Sequence, residues 1–128
     1  MQVLIVEDQP SDLRVATTAA QESGFADIEA RSSIAAARDF LQKALDEGRS
    51  LPDAIVLDLD LGYESGFELL RYWHSNPQLS KVSVVVWTIL GNQYREICEM
   101  FKVTAYLDKG AGGAALRNTL AGLKRLAS

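Results

Sequence analysis

The chain has 128 residues, 48% of them apolar, which is enough to bury one two- or three-layer core and too few for two ordinary domains, so residues 1–128 are read as a single domain. Lys and Arg number 13 against 17 Asp and Glu, a formal charge of -4 that argues against a surface gripping nucleic-acid phosphates. A single cysteine, Cys98, excludes an intrachain disulfide and a cysteine-rich metal site; with no leader-like start and no apolar run of membrane-spanning length, the expectation is a soluble, cytoplasmic protein without membrane contact.

Val3-Leu4-Ile5-Val6 is a short, β-branched apolar run that stops at Glu7-Asp8, the pattern of a buried strand. Pro10 suits a first helical turn, and Leu13, Ala16 and Ala20 make one helical face that ends near Gly24. A weak strand over Asp27 to Arg31, expected at an edge, precedes a helix carrying Ala36, Ala37, Phe40, Leu41, Ala44 and Leu45 before Gly48. Asp53-Ala54-Ile55-Val56-Leu57 leads to Asp58, and Ser65 with Glu68 has capping-box spacing ahead of Leu69, Leu70 and Trp73. Val82 to Trp87 is the clearest strand, followed by a helical face of Tyr94, Ile97, Cys98 and Phe101; Ala105-Tyr106-Leu107 then precedes a helix with Leu116, Leu120 and Leu123. Fivefold alternation of this kind predicts an α/β fold: a doubly wound, five-stranded parallel sheet with helices on both faces, flavodoxin-like in topology, its ligand site at the carboxyl ends of the strands.

Four of the five predicted strands end in polar residues that can act together: Glu7 and Asp8, then Asp58, Thr88 and Lys109. Any one of them alone reads as a solvated loop residue. Gathered on one rim, the carboxylates repel unless a cation or proton offsets them, and oxygen ligands from Asp8 and Asp58 suit Mg2+. A carboxylate can attack phosphorus while Mg2+ and a lysine neutralise the transferring group and a threonine hydroxyl donates to it, so the inventory matches phosphoryl transfer.

Glu7-Asp8, the stretch Ile55-Val56-Leu57-Asp58-Leu59-Asp60-Leu61 with Ser65-Gly66, the Trp87-Thr88 strand end and Tyr106-Leu107-Asp108-Lys109 follow one another as in the receiver domains of two-component response regulators, which the chain resembles over essentially its whole length. The resemblance implies a signalling switch with Asp58 as phosphoacceptor and Thr88 and Lys109 holding phosphoryl oxygens. It implies a Mg2+ site made by Asp8, Asp58, Glu7 directly or through water, and the backbone carbonyl of Asp60. The implied phosphodonor is a sensor histidine kinase, a histidine phosphotransfer protein or a small acyl phosphate, and the implied consequence is binding of a second copy or an output partner. Slow loss of the phosphoryl group, not multiple turnover, is the implied chemistry. Gly62 and Gly110 stand where the family usually has proline, which removes intrinsic restraint from both loops. Ile89 is bulkier than the usual alanine or glycine, and Asp60 adds an acidic side chain.

Two other functions fit parts of the pattern. Asp58-Leu59-Asp60 after an apolar strand is similar to the nucleophile motif of haloacid-dehalogenase-type phosphatases, but there the acidic pair follows the lysine, whereas Glu7-Asp8 precedes everything here. A pseudo-receiver would keep the fold as a binding module, against which stands the intact set of Asp8, Asp58, Thr88 and Lys109. A flavodoxin-like electron carrier would need a phosphate-cradling loop where Glu7-Asp8-Gln9-Pro10 places carboxylates. His74, Cys98, Trp73 and Trp87 are read as solvated or packing residues.

Overall fold

In the computed structural model, residues 1–127 are described, with side chains as far as residue 126. Short apolar runs without room for a helical turn become the central strands: β1 (Gln2–Val6) and β3 (Ala54–Leu57), each buried over four residues. The polar, half-exposed β2 (Asp27–Arg31) lies outside them, the edge position its composition predicts. Two further strands separate β3 from the rest of the sheet in sequence: β4 (Asp60–Leu61) and β5 (Glu64–Ser65) form a small antiparallel hairpin of their own. β6 (Ser83–Thr88) and β7 (Ala105–Asp108) complete a five-stranded sheet of order β2-β1-β3-β6-β7 in which every neighbouring pair is parallel.

Parallel neighbours require crossovers, which the helices α1 (Pro10–Glu22), α2 (Ile34–Asp46), α3 (Phe67–Ser75) and α4 (Arg95–Met100) supply, and α5 (Gly113–Ala127) follows the last strand. Strand residues alternate between two cores. Leu4, Val6, Ile55, Leu57, Val84 and Val86 meet α2, α3 and Cys98 of α4. Val3, Ile5, Val56, Val85 and Trp87 meet the small residues Ala16, Ala19 and Ala20 of α1 and Leu116 and Leu120 of α5. With both faces covered, the strands carry the continuous apolar runs seen in the sequence.

Three local expectations change. Ser65 is not the first residue of a capping box: it ends β5, Gly66 precedes α3, and the Ser65 hydroxyl accepts from the N–H of Phe67 at 3.2 Å, two residues on. The fourth helix is only Arg95–Met100, entered through a 3-10 turn over Gly91–Tyr94. Its buried stripe runs through Tyr94, Cys98 and Phe101, at intervals of four and three, which leaves Ile97 46% exposed and outside the core. His74 is exposed, with its ring edge-on to Phe101, in keeping with a surface residue. No described helix is long and apolar enough to cross a membrane.

Cys98 is fully buried, and burial pushes its thiol from 9.0 up to about 11. Because the folded thiol keeps its proton while the unfolded one ionises, its contribution to stability is intact below about pH 8.5 and declines as the pH rises toward 11. The native protein at pH 8 should therefore leave a chromogenic disulfide reagent unreacted over the minutes in which the urea-unfolded protein releases one equivalent; equal rates in both states would show that the thiol is accessible.

Candidate functional site

The parallel register brings the ends of β1, β3, β6 and β7 to one rim. The ladder continues one residue past β1 and β3: Glu7 donates its N–H to the Arg31 carbonyl at 3.0 Å, and Asp58 donates to Val6 at 3.2 Å. Glu7 and Asp58 therefore leave the sheet as rigidly as strand residues do, and both are buried, at 3% and 4% exposure. Asp8 follows on the loop into α1, and oxygens of Glu7, Asp8 and Asp58 all lie within 4.8 Å of one another.

Lys109, in the turn after β7, reaches across this group. Its Nζ donates to Glu7 Oε1 at 2.6 Å, to Asp58 Oδ2 at 2.8 Å and to Asp12 Oδ2 at 2.8 Å. Burial opposes a charged ammonium, but the bonds to Asp12, Asp58 and Glu7 more than offset it and hold the lysine's pKa above its usual range. Glu7 is raised, chiefly by its own burial, with the Lys109 bond and the Gln9 N–H acting against that rise. Asp58 Oδ1 accepts from the Asp60 N–H at 3.1 Å, so both oxygens of this carboxylate are oriented.

One ammonium faces the carboxylates of Glu7, Asp8, Asp12 and Asp58, leaving negative charge in excess. Asp8 Oδ1 is buried and has no hydrogen-bond partner among the described residues. An acceptor held in that condition, beside two further carboxylates, suits a hard divalent cation that takes oxygen ligands. The residues present therefore fit a metal.

Thr88, fully buried at the end of β6, is next to this group in the fold, and its Oγ1 accepts from the Leu90 N–H at a long 3.4 Å. Asp60 is exposed, and its carboxylate turns back onto its own loop to accept from Gly62 at 3.3 Å, outside the three-carboxylate cluster. Gly62 opens the two-residue turn of the β4–β5 hairpin with φ +73, a conformation closed to proline; the hairpin supplies the restraint that proline would have given. Asp108 does the same for Gly110, accepting its N–H at 2.8 Å. Ile89 is 61% exposed on the loop after Thr88.

Sequence reasoning missed two residues. Asp12 is the third carboxylate on Lys109; its only signal is its place in the first turn of α1, one helical turn beyond Asp8. Trp87, read as packing, is buried in the core and also lies beneath Lys109, with Nζ 5.0 Å from the ring centroid.

The sequence model of the response regulator receiver domain matches residues 3–121. Over 110 residues the chain is 32% identical to the response regulator Rcp1 of Synechocystis sp., an alignment that spans 84% of this chain and 75% of that protein. Among solved structures, the Mn2+-bound form of response regulator Rcp1 matches with a TM-score of 0.72 and 30% identity, over 96% of this chain and 91% of that one. The phosphorylated cyanobacterial phytochrome response regulator RcpA matches with a TM-score of 0.78 and 25% identity, over 96% and 90%.

Gly66 keeps the loop after β3 closed, because a Cβ there would sit 2.8 Å from the Leu59 Cα and closer still to the Asp58 carbonyl oxygen, both backbone atoms. Gly66→Ala should cost about 1–3 kcal/mol, measured as a lower urea midpoint with an unchanged m-value. A variant as stable as the parent would mean that the loop relaxes freely around the added methyl.

Proposed function

Because the chain belongs to the response regulator receiver family, whose members are signalling switches phosphorylated by histidine kinases or phosphotransfer proteins, we propose that Asp58 is its phosphoacceptor. The observation that carries the reading is the state of Asp58 itself: a buried carboxylate at a strand end, with one oxygen fixed by a backbone N–H and the other by Lys109. A nucleophile so held spends little freedom in reaching an in-line approach to phosphorus.

The donor is a phosphohistidine on a kinase or a phosphotransfer protein, or a small acyl phosphate. An Asp58 carboxylate oxygen forms the new O–P bond as the donor's bond to phosphorus breaks, and the leaving group keeps that electron pair. Lys109, already bonded to Asp58, follows the charge onto a phosphoryl oxygen, and the Thr88 hydroxyl donates to another. Mg2+ would be held by Asp8 and Asp58, by Glu7 directly or through water, and by the Asp60 backbone carbonyl. When bound, it offsets the charge of the carboxylates and of the phosphoryl group. The excess of carboxylates over the single ammonium and the unpaired Asp8 Oδ1 support this assignment.

The same residues support a switch over a turnover enzyme, since the phosphoryl group becomes a new partner for Lys109 and Thr88. Thr88 and Tyr106 lie on paired strands, with Val86 opposite Tyr106 and Thr88 opposite Asp108. Tyr106 is buried and donates its hydroxyl proton to the Gly91 carbonyl at 2.6 Å, tying β7 to the loop that follows Thr88. Movement of Thr88 toward a phosphoryl group therefore bears on Gly91, Tyr106 and α4, where a second copy or an output partner would bind.

Incubation with acetyl phosphate and Mg2+, followed by intact-mass measurement, should add one phosphoryl group to the parent and none to Asp58→Asn; equal labelling of both would remove Asp58 from the role. Calorimetric titration with Mg2+ should show at least tenfold weaker binding for Asp8→Ala. Unchanged affinity in that variant would place the cation elsewhere.

A further inference from the structure

We propose that Trp87 is a positioning residue for Lys109: its indole face carries the ammonium at the point from which it transfers from Asp58 to an arriving phosphoryl oxygen. The inference rests on the phosphoacceptor reading for its consequence, but on geometry alone for the contact. Nζ lies 5.0 Å from the Trp87 ring centroid, while all three of its protons are taken by Glu7, Asp12 and Asp58. The ring is thus the ammonium's only attractive neighbour, among the described contacts, that carries no full charge and uses no donor.

That difference matters for transfer. A carboxylate holds an ammonium through a directed, charge-assisted bond, and three such bonds would resist any shift of the cation. A π face attracts the charge with weak directionality and leaves every N–H free for oxygen. As one bond passes from Asp58 Oδ2 to a phosphoryl oxygen, the floor under the lysine stays in place.

Packing alone is a poor account of indole at this position. Trp87 is 2% exposed, and its Nε1 is buried without a hydrogen-bond acceptor among the described residues. Burying an unpaired donor is unfavourable, and phenylalanine would fill much of the same space without one. The other tryptophan, Trp73, shows the ordinary arrangement, its Nε1 donating to the carbonyls of Leu79 and Val82. Indole is also the ring that attracts a cation most strongly, so the two effects order the variants differently.

Trp87→Phe and Trp87→Leu, each made in the parent and in Lys109→Gln, separate the roles. Three quantities are measured: the rate of Asp58 labelling at subsaturating acetyl phosphate with Mg2+, the thermal midpoint, and, without any phosphodonor, the proton shifts of the Lys109 ε-methylene. In the parent those protons should lie upfield of an exposed lysine's through the ring current, and Trp87→Leu should return them to the ordinary position. Labelling should slow about fivefold to tenfold in Trp87→Leu, the factor given by about 1–1.4 kcal/mol, and about twofold in Trp87→Phe. Trp87→Phe should melt no lower than the parent, and neither substitution should slow labelling further in Lys109→Gln. The proposal is overturned if the parental ε-methylene shifts are ordinary, if the rates of both variants fall in step with their melting points, or if the loss is as large without the lysine. Should Trp87→Leu fail to fold, Trp87→Phe and the parental shifts still decide it. Absence of labelling in the parent itself would instead reject the phosphoacceptor reading, while the shifts would continue to test the contact.

Discussion

Among the described residues Lys109 is the one cation bonded to Glu7, Asp12 and Asp58, and the arrangement of the rim follows from that bond set. Burying a carboxylate is costly unless it is paired, and Asp58, 4% exposed, has its partner at 2.8 Å. Glu7 has the same partner at 2.6 Å, and Asp12 ties α1 to it from the other side. Removing the lysine would leave two buried carboxylates and the first turn of α1 without their common counter-charge. Exposed pairs such as Lys43 with Asp39 contribute far less, because water already solvates both ends.

The fold meets this requirement through its strand order. With β1 and β3 adjacent and parallel, the residues that follow them emerge side by side, so Glu7, Asp8 and Asp58 converge although some fifty positions separate them. β7 lies at the far edge, beyond β6, and the long Lys109 side chain spans the remaining distance across the Trp87 ring. Convergence leaves more negative charge than one ammonium offsets. The chain tolerates that excess at the place where a cation and a phosphoryl group would be bound, and in the rest of the core it buries apolar side chains almost exclusively.

Much of this was legible in the sequence because the signals are local. A run such as Ile55-Val56-Leu57 announces a buried strand, and a charged residue at its end announces a rim; the alternation of five such units fixes the layer order. The weak polarity pattern of Asp27–Arg31 also identified an edge strand. What was not legible depends on side-chain direction and on contacts distant in sequence. Asp12 reads as an ordinary first-turn acid until Lys109 is brought 97 positions across to meet it. Ile97 fits an apolar helical face by spacing, yet a six-residue helix buries only Cys98, and the stripe is too narrow to include it. Gly62 and Gly110 look like lost prolines, and only the hairpin and the Asp108 carboxylate reveal what replaces the restraint.

The route proposed from the rim to the surface has the same character as the rim itself, a few specific bonds on an otherwise apolar frame. Thr88 Oγ1 meets the Leu90 N–H at 3.4 Å, long enough to be given up cheaply for a charged phosphoryl acceptor. The next bond along, from the Tyr106 hydroxyl to Gly91, is short at 2.6 Å, and the Arg95 guanidinium lies 5.0 Å from the centre of the Tyr106 ring. If Thr88 moves toward a phosphoryl group as proposed, the weak link to Leu90 would be released while the stronger Tyr106 bond to Gly91 stays, and Gly91, at φ +66, sits where the backbone turns into α4. Packing at that point is sparse, since Cys98 is the only buried residue of α4. If the proposed bond at Thr88 favours one position of this lightly packed element by about 1.4 kcal/mol, that position gains about tenfold in population, and the surface that α4 presents would change with the rest of the core in place.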